Sequence, residues 1–182
     1  MGGRVALEVL RSAPQRVERL ALLDTGFQSL AEGAAGATER AGRLALLSQS
    51  RALGMRAMGQ QWARGMVHPE RLGSPVFQEI LDMIERGTPN IFEAQIHALL
   101  NRPDASALLP RIACPTLLVC GRQDAWSPLT RHEQMLAMLP DAGLVVVEDS
   151  GHMSTMERPE AVTDALAGWM GVALACYTTA AR

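Results

Sequence analysis

Asp124 and His152 are the two side chains whose types and placement suit them to moving a proton together. Asp124 lies four residues beyond the apolar run TLLVC, Thr116 to Cys120, and His152 lies five residues beyond LVVV, Leu144 to Val147. Short continuous apolar runs of this kind read as strands of a parallel sheet buried on both faces. If the two strands are neighbours, both side chains emerge at the carboxyl edge of the sheet, where open α/β sheets bind ligands. An aspartate there can accept the Nδ1–H of a histidine. That bond fixes the tautomer, leaves Nε2 as a base and stabilises the imidazolium. An imidazole titrates at about pH 6.5, so it can take a proton and return it at neutral pH. Each residue also has a plain reading. Asp124 suits a turn, or a cap for a helix near Pro128, where Ser127 is an equally good N-cap. His152 suits a satisfied surface position. The matching turns favour the joint reading. Trp126 and Met153 flank the pair and are candidates for touching a substrate, or for packing.

The elements that must position this pair are legible as alternating helices and strands. Val5, Ala6, Val9 and Leu10 recur at helical spacing up to Pro14, and Leu20 to Leu23 is a buried-strand candidate ended by Asp24, Thr25 and Gly26. From Phe27 to about Asp104 there is no strong strand run. Glu32 to Thr38, EGAAGAT, reads as a flexible connector. Helical patterns follow at Glu39 to Leu53, Met55 to Met66, Ser74 to Arg86 and Ile91 to Leu100, broken by Gly54, Pro69, Gly87 and Pro89. Met55, Met58, Trp62 and Met66 either line a pocket or form the core of this insert. Then come the strand Thr116 to Cys120, a helix at Pro128 to Leu139, a turn at Pro140 to Gly143, the strand Leu144 to Val147 and a helix at Glu157 to Trp169. The fold class is α/β, a parallel sheet flanked by helices with a helical lid insert. Residues 1–26 and 105–176 form the core, 27–104 a cap, and 177–182 a tail.

Composition narrows the function. Net charge is −2, from 17 Lys+Arg (all arginine) against 19 Asp+Glu, and no basic block recommends a nucleic-acid partner. No stretch approaches ~18 uninterrupted apolar residues, so no membrane span is expected. The sparse cysteines Cys114, Cys120 and Cys176 point to reduced thiols and a cytoplasmic protein. His68, His97, His132 and His152 lack the spacing of HExxH, and no GxGxxG fingerprint is present, so neither metal nor cofactor is expected. A small-molecule substrate is the expected partner. Oligomeric state is open.

GRQDAWSP and DSGHMSTMERPEAV resemble the acid and histidine segments of α/β-hydrolase-fold enzymes of the lidded, carboxylesterase-like kind. LLPRIACPTLLVCGRQD resembles that family's approach to its acid-bearing strand, and MGGRVALEVLRSAPQRVERLALLDTG its helix after the nucleophile elbow and the strand that follows. The resemblance implies ester hydrolysis by a Ser-His-Asp triad, with Asp124 and His152 as acid and base, and the order agrees with Ser…Asp…His. If Gly2 is the second glycine of G-x-S-x-G, the serine precedes Met1, and the Met1 backbone N–H is an oxyanion donor. Ser127, Ser150 and Ser154 sit in no such elbow. The resemblance therefore implies the C-terminal portion of such an enzyme, with the preceding strands missing, an unpaired sheet edge, and negligible hydrolysis by the 182-residue chain. The family also includes C–C bond hydrolases, dehalogenases and lyases. The alternative is a non-catalytic binding module or a truncated remnant of the same fold, though a pure binder does not need both Asp124 and His152.

Overall fold

Apolar residues alternate along the strands, and the alternation divides two cores. In the computed structural model, which describes residues 1–171, β1 (Leu20–Leu23), β2 (Thr116–Gly121) and β3 (Ala142–Val147) form one parallel sheet in the order β1-β2-β3. Helix α1 (Gly2–Ser12) precedes β1. Helices α2 (Gly33–Leu53), α3 (Met55–Trp62), α4 (Pro75–Glu85) and α5 (Pro89–Leu100) lie between β1 and β2. Helix α6 (Leu129–Met138) joins β2 to β3, and α7 (Ser154–Glu157) and α8 (Pro159–Met170) follow. On one face Leu20, Leu22 and Leu118 pack with Leu7 and Leu10 of α1 and Met135 of α6. On the other, Leu117, Val119 and Val147 pack with Val162 of α8. Each buried leucine of this kind contributes about 2 kcal/mol of transfer free energy. Helices α2 to α5 bury a third core of their own, including Met58, Phe77, Ile80, Leu81 and Phe92.

The strand register sets the site. β1 and β2 pair from Leu20 opposite Thr116 to Leu23 opposite Val119, and β2 and β3 from Thr116 opposite Ala142 to Gly121 opposite Val147. All three strands run the same way, so Asp24, Asp124 and His152 follow strand ends at one edge of the sheet.

Four local expectations are corrected. Glu32 to Thr38 is not a flexible connector: α2 begins at Gly33. Ala34, Ala35 and Ala37 are strong helix formers, and the Thr38 hydroxyl donates to Ala34 O at 2.9 Å. β3 begins at Ala142 rather than Leu144, because Thr116 N–H donates to Asp141 O at 3.0 Å and starts the ladder earlier. β3 is also only partly buried along most of its length, as an edge strand lacking a neighbour on one side, whereas every residue of central β2 is buried. The last helix starts not at Glu157 but at Pro159, where Pro fits a first helical position, after the separate turn of α7. Cys114 and Cys120 are unbridged, and Cys176 and the 177–182 tail lie outside the described residues. Among the described residues no helix is long and apolar enough to cross a membrane.

Candidate active site

The turns after β2 and β3 are held together by their own backbones. Arg122 N–H donates to Val147 O at 2.9 Å, Gln123 N–H to Ser150 O at 2.8 Å, and Ser150 N–H returns to Gln123 Oε1 at 3.1 Å. The turns meet almost without side chains between them. A Cβ on Gly121 would lie 2.0 Å from Gly151 O, and one on Gly151 would lie 2.7 Å from Met66 O.

This contact brings the expected pair together. His152 Nδ1 and Asp124 Oδ2 are 2.9 Å apart. The other oxygen, Asp124 Oδ1, accepts from the amides of Trp126 and Ser127, both at 2.8 Å. The carboxylate is therefore fully committed, and its side chain has no exposed surface, whereas the imidazole retains 21%. Burial works against ionisation of Asp124. The hydrogen bond and charge of His152, with the two amides, outweigh it and hold the carboxyl below its ordinary range. The arrangement can keep His152 in the tautomer that leaves Nε2 as a base.

The flanking residues divide between the pair and the insert. The Trp126 ring lies 5.3 Å from the His152 ring and 5.1 Å from Trp62, which meets Phe92 edge-on at 5.2 Å. Met153 packs against the insert core, and its N–H donates to Met66 O at 3.2 Å. Met58 and Met66 are buried in that core. Met1 is the N-cap of α1, and the first turn of that helix lies against Thr25, so it belongs to the same edge of the sheet; no hydrogen bond joins Met1 to the pair. A cavity of about 230 Å³ between α1 and residues 98–105 is lined by Met1, Arg4 and Phe27, but by neither Asp124 nor His152. Ser150 and Ser154 are buried, their hydroxyls donated to Gly151 O and to Asp24; neither is hydrogen-bonded to His152.

Three polar residues of the site were not singled out by sequence reasoning. Glu157 is buried and accepts from Gly151 N–H at 2.8 Å and His68 N–H at 2.7 Å, tying the insert to the histidine turn. His132 is buried on α6, with Nε2 3.2 Å from Thr25 N and Nδ1 3.3 Å from Pro128 O; burial lowers its pKa and keeps it neutral. Asp24 is buried at the end of β1, the strand-end position that also singled out Asp124, and that signal could have found it.

Asp24, Cys120 and Asp124 place a possible ligand atom each within 4.8 Å of the others. Both carboxylates are already spent on N–H and O–H donors. Burial, then Asp124 and Asp24, pushes the Cys120 thiol up to about 12. A protonated thiol and two occupied carboxylates do not make a metal-binding set.

Burial pushes Asp24 up to about 6, with Asp124 adding repulsion, while Ser154, Gly121 and His152 favour its charge. Because this lies above the unfolded value of 3.8, the contribution to stability is full below about pH 4 and is lost as pH rises through about 6. A shift of this size corresponds to roughly 3 kcal/mol. Asp124 acts with the opposite sign, contributing above the ordinary carboxylate range and less as pH falls through its depressed value. Asp24→Asn is therefore expected to change the unfolding temperature more favourably at pH 8 than at pH 4. Thermal unfolding by circular dichroism at both pH values measures this; an equal change at the two would contradict it.

The chain belongs to the alpha/beta hydrolase family, whose model matches residues 1–165. It is 30% identical over 169 residues to the pimeloyl-[acyl-carrier protein] methyl ester esterase of Aromatoleum aromaticum, covering 88% of this chain and 67% of that one. Among solved structures it resembles a thermophilic esterase from Thermogutta terrifontis, with TM-score 0.83 and 29% identity over 93% of this chain and 61% of that one. A hydrolase from Pseudomonas aeruginosa gives TM-score 0.80 and 27% identity, covering 93% and 62%. The chain thus spans about six-tenths of the length of these solved relatives.

Proposed function

We propose that this chain carries the acid and the base of a serine-type hydrolase of small esters. A serine in a G-x-S-x-G turn ahead of Met1 is the nucleophile. His152 Nε2 takes the serine proton as the oxygen attacks the acyl carbon, and the carbonyl electron pair moves onto its oxygen. The imidazolium then gives that proton to the departing alkoxide, and a water repeats the sequence to release the acid. The Met1 backbone N–H is one donor to the oxyanion. Residues 27–104 cap the core formed by 1–26 and 105–171, with Trp126 and Met153 on the substrate side. The observation that carries this reading is the 2.9 Å approach of His152 Nδ1 to a buried carboxylate whose other oxygen is held by two amides. The esterases among its relatives support ester chemistry. The unbridged cysteines suit a cytoplasmic setting.

The 182-residue chain is expected to hydrolyse p-nitrophenyl acetate no faster than its His152→Ala variant. Joined behind the nucleophile-bearing segment of the Thermogutta terrifontis esterase, it is expected to turn the ester over and to lose that activity with His152→Ala. A burst from the 182-residue chain that depends on His152 would place a nucleophile inside it. An active, folded chimera indifferent to His152→Ala would remove His152 from the chemistry.

A further inference from the structure

We infer that Asp24 is a positioning residue of this site, a third strand-end carboxylate that holds the acid turn and the histidine turn in register with the sheet. The inference rests on the assignment of Asp124 and His152 as acid and base. Asp24 Oδ1 accepts from Gly121 N–H at 3.0 Å, at the root of the turn bearing Asp124. Asp24 Oδ2 accepts from the Ser154 hydroxyl and from Ser154 N–H at 3.3 Å, two residues after His152. One side chain thus fixes β1 to both turns, and each bond joins it to a segment distant in sequence.

The backbone is shaped for the purpose. Asp24 takes φ 46°, in the left-handed region that side chains other than Gly, Asn and Asp seldom enter. Its own N–H still donates to Val119 O at 2.9 Å, so the turn begins without losing the ladder. A buried carboxylate costs free energy unless it is well bonded, and both oxygens of Asp24 accept hydrogen bonds. Asp24 faces Asp124 and Cys120 from β2 and its turn, and His152 from the turn after β3. His152 is among the groups that favour the charge of Asp24.

The test reads His152 directly by nitrogen-detected NMR of the 182-residue chain, and so needs no turnover. Asp24→Asn is expected to broaden the downfield Nδ1–H signal of His152, while the signals of His68 and His97 stay unmoved and circular dichroism shows the fold intact. Ser154→Ala, which removes one bond and no charge, is expected to broaden the same Nδ1–H signal. An Nδ1–H signal of His152 unchanged in a folded Asp24→Asn would overturn the inference. If Asp24→Asn does not fold, an unaltered Nδ1–H signal in Ser154→Ala would overturn it. Asp124→Asn separates the two readings: a downfield signal that survives it refutes the Asp124–His152 pair itself, whatever Asp24→Asn does.

Discussion

Asp124→Asn, in a chimera carrying the serine-bearing segment ahead of Met1, is expected to keep its fold and lose about 10⁴-fold in kcat. The two oxygens of Asp124 have separate duties, and asparagine can perform only one. Its carbonyl oxygen can replace Oδ1 and accept from Trp126 and Ser127, so the turn survives. Its amide nitrogen then faces His152 Nδ1, where Oδ2 stood. A donor there demands an acceptor, which moves the ring proton to Nε2 and abolishes the base. His152→Ala removes the base outright, and a loss on the order of 10⁶ is expected. Saturating p-nitrophenyl acetate kinetics, with circular dichroism as the check on folding, distinguish the two. A folded Asp124→Asn within tenfold of its parent would leave the acid unidentified.

Gly121→Ala is expected to damage stability and catalysis together, although it adds a single methyl group far from any reacting atom. Its Cβ would meet Gly151 O, Ser150 O and Gly151 C, all backbone atoms, the first at 2.0 Å. No rotamer relieves a collision between main chains, so the histidine turn must retreat. Gly151 cannot retreat far, because Met66 and Val67 of the insert are packed behind it. Overpacking of this kind costs about 3 kcal/mol or more. A displacement of about 1 Å at His152 costs on the order of 10²-fold in rate. Urea denaturation reads the first effect and kcat in the chimera the second. Wild-type values for both would mean that the two turns are not held as tightly as this contact requires.

How far these features could be read beforehand depended on whether their cause was local. The three strands announced themselves as apolar runs closed by turn residues, and parallel order followed from their alternation with helices. Asp124 and His152 stood out for the same reason, since each is a chemically capable residue at a legible strand end. Asp24 met the same test, but its value lies in bonds to Gly121 and Ser154, 97 and 130 residues away. Glu157 was hidden more deeply, inside what read as the first turn of a helix, because only the arrival of His68 from the insert makes its burial sensible. The alanine-rich start of α2 failed in the opposite way. Its glycines suggested flexibility, while the alanines among them carried the helix.

The tilted ring contact between Trp126 and His152 gives the protein a built-in optical readout. An imidazolium quenches a neighbouring indole more strongly than a neutral imidazole does, and the two rings are 5.3 Å apart. Emission from Trp126, isolated by replacing Trp62 and Trp169 with phenylalanine, should dim on acidification along the protonation curve of His152. The charge state of the proposed base would then be visible as light, in a cuvette, without substrate or isotope.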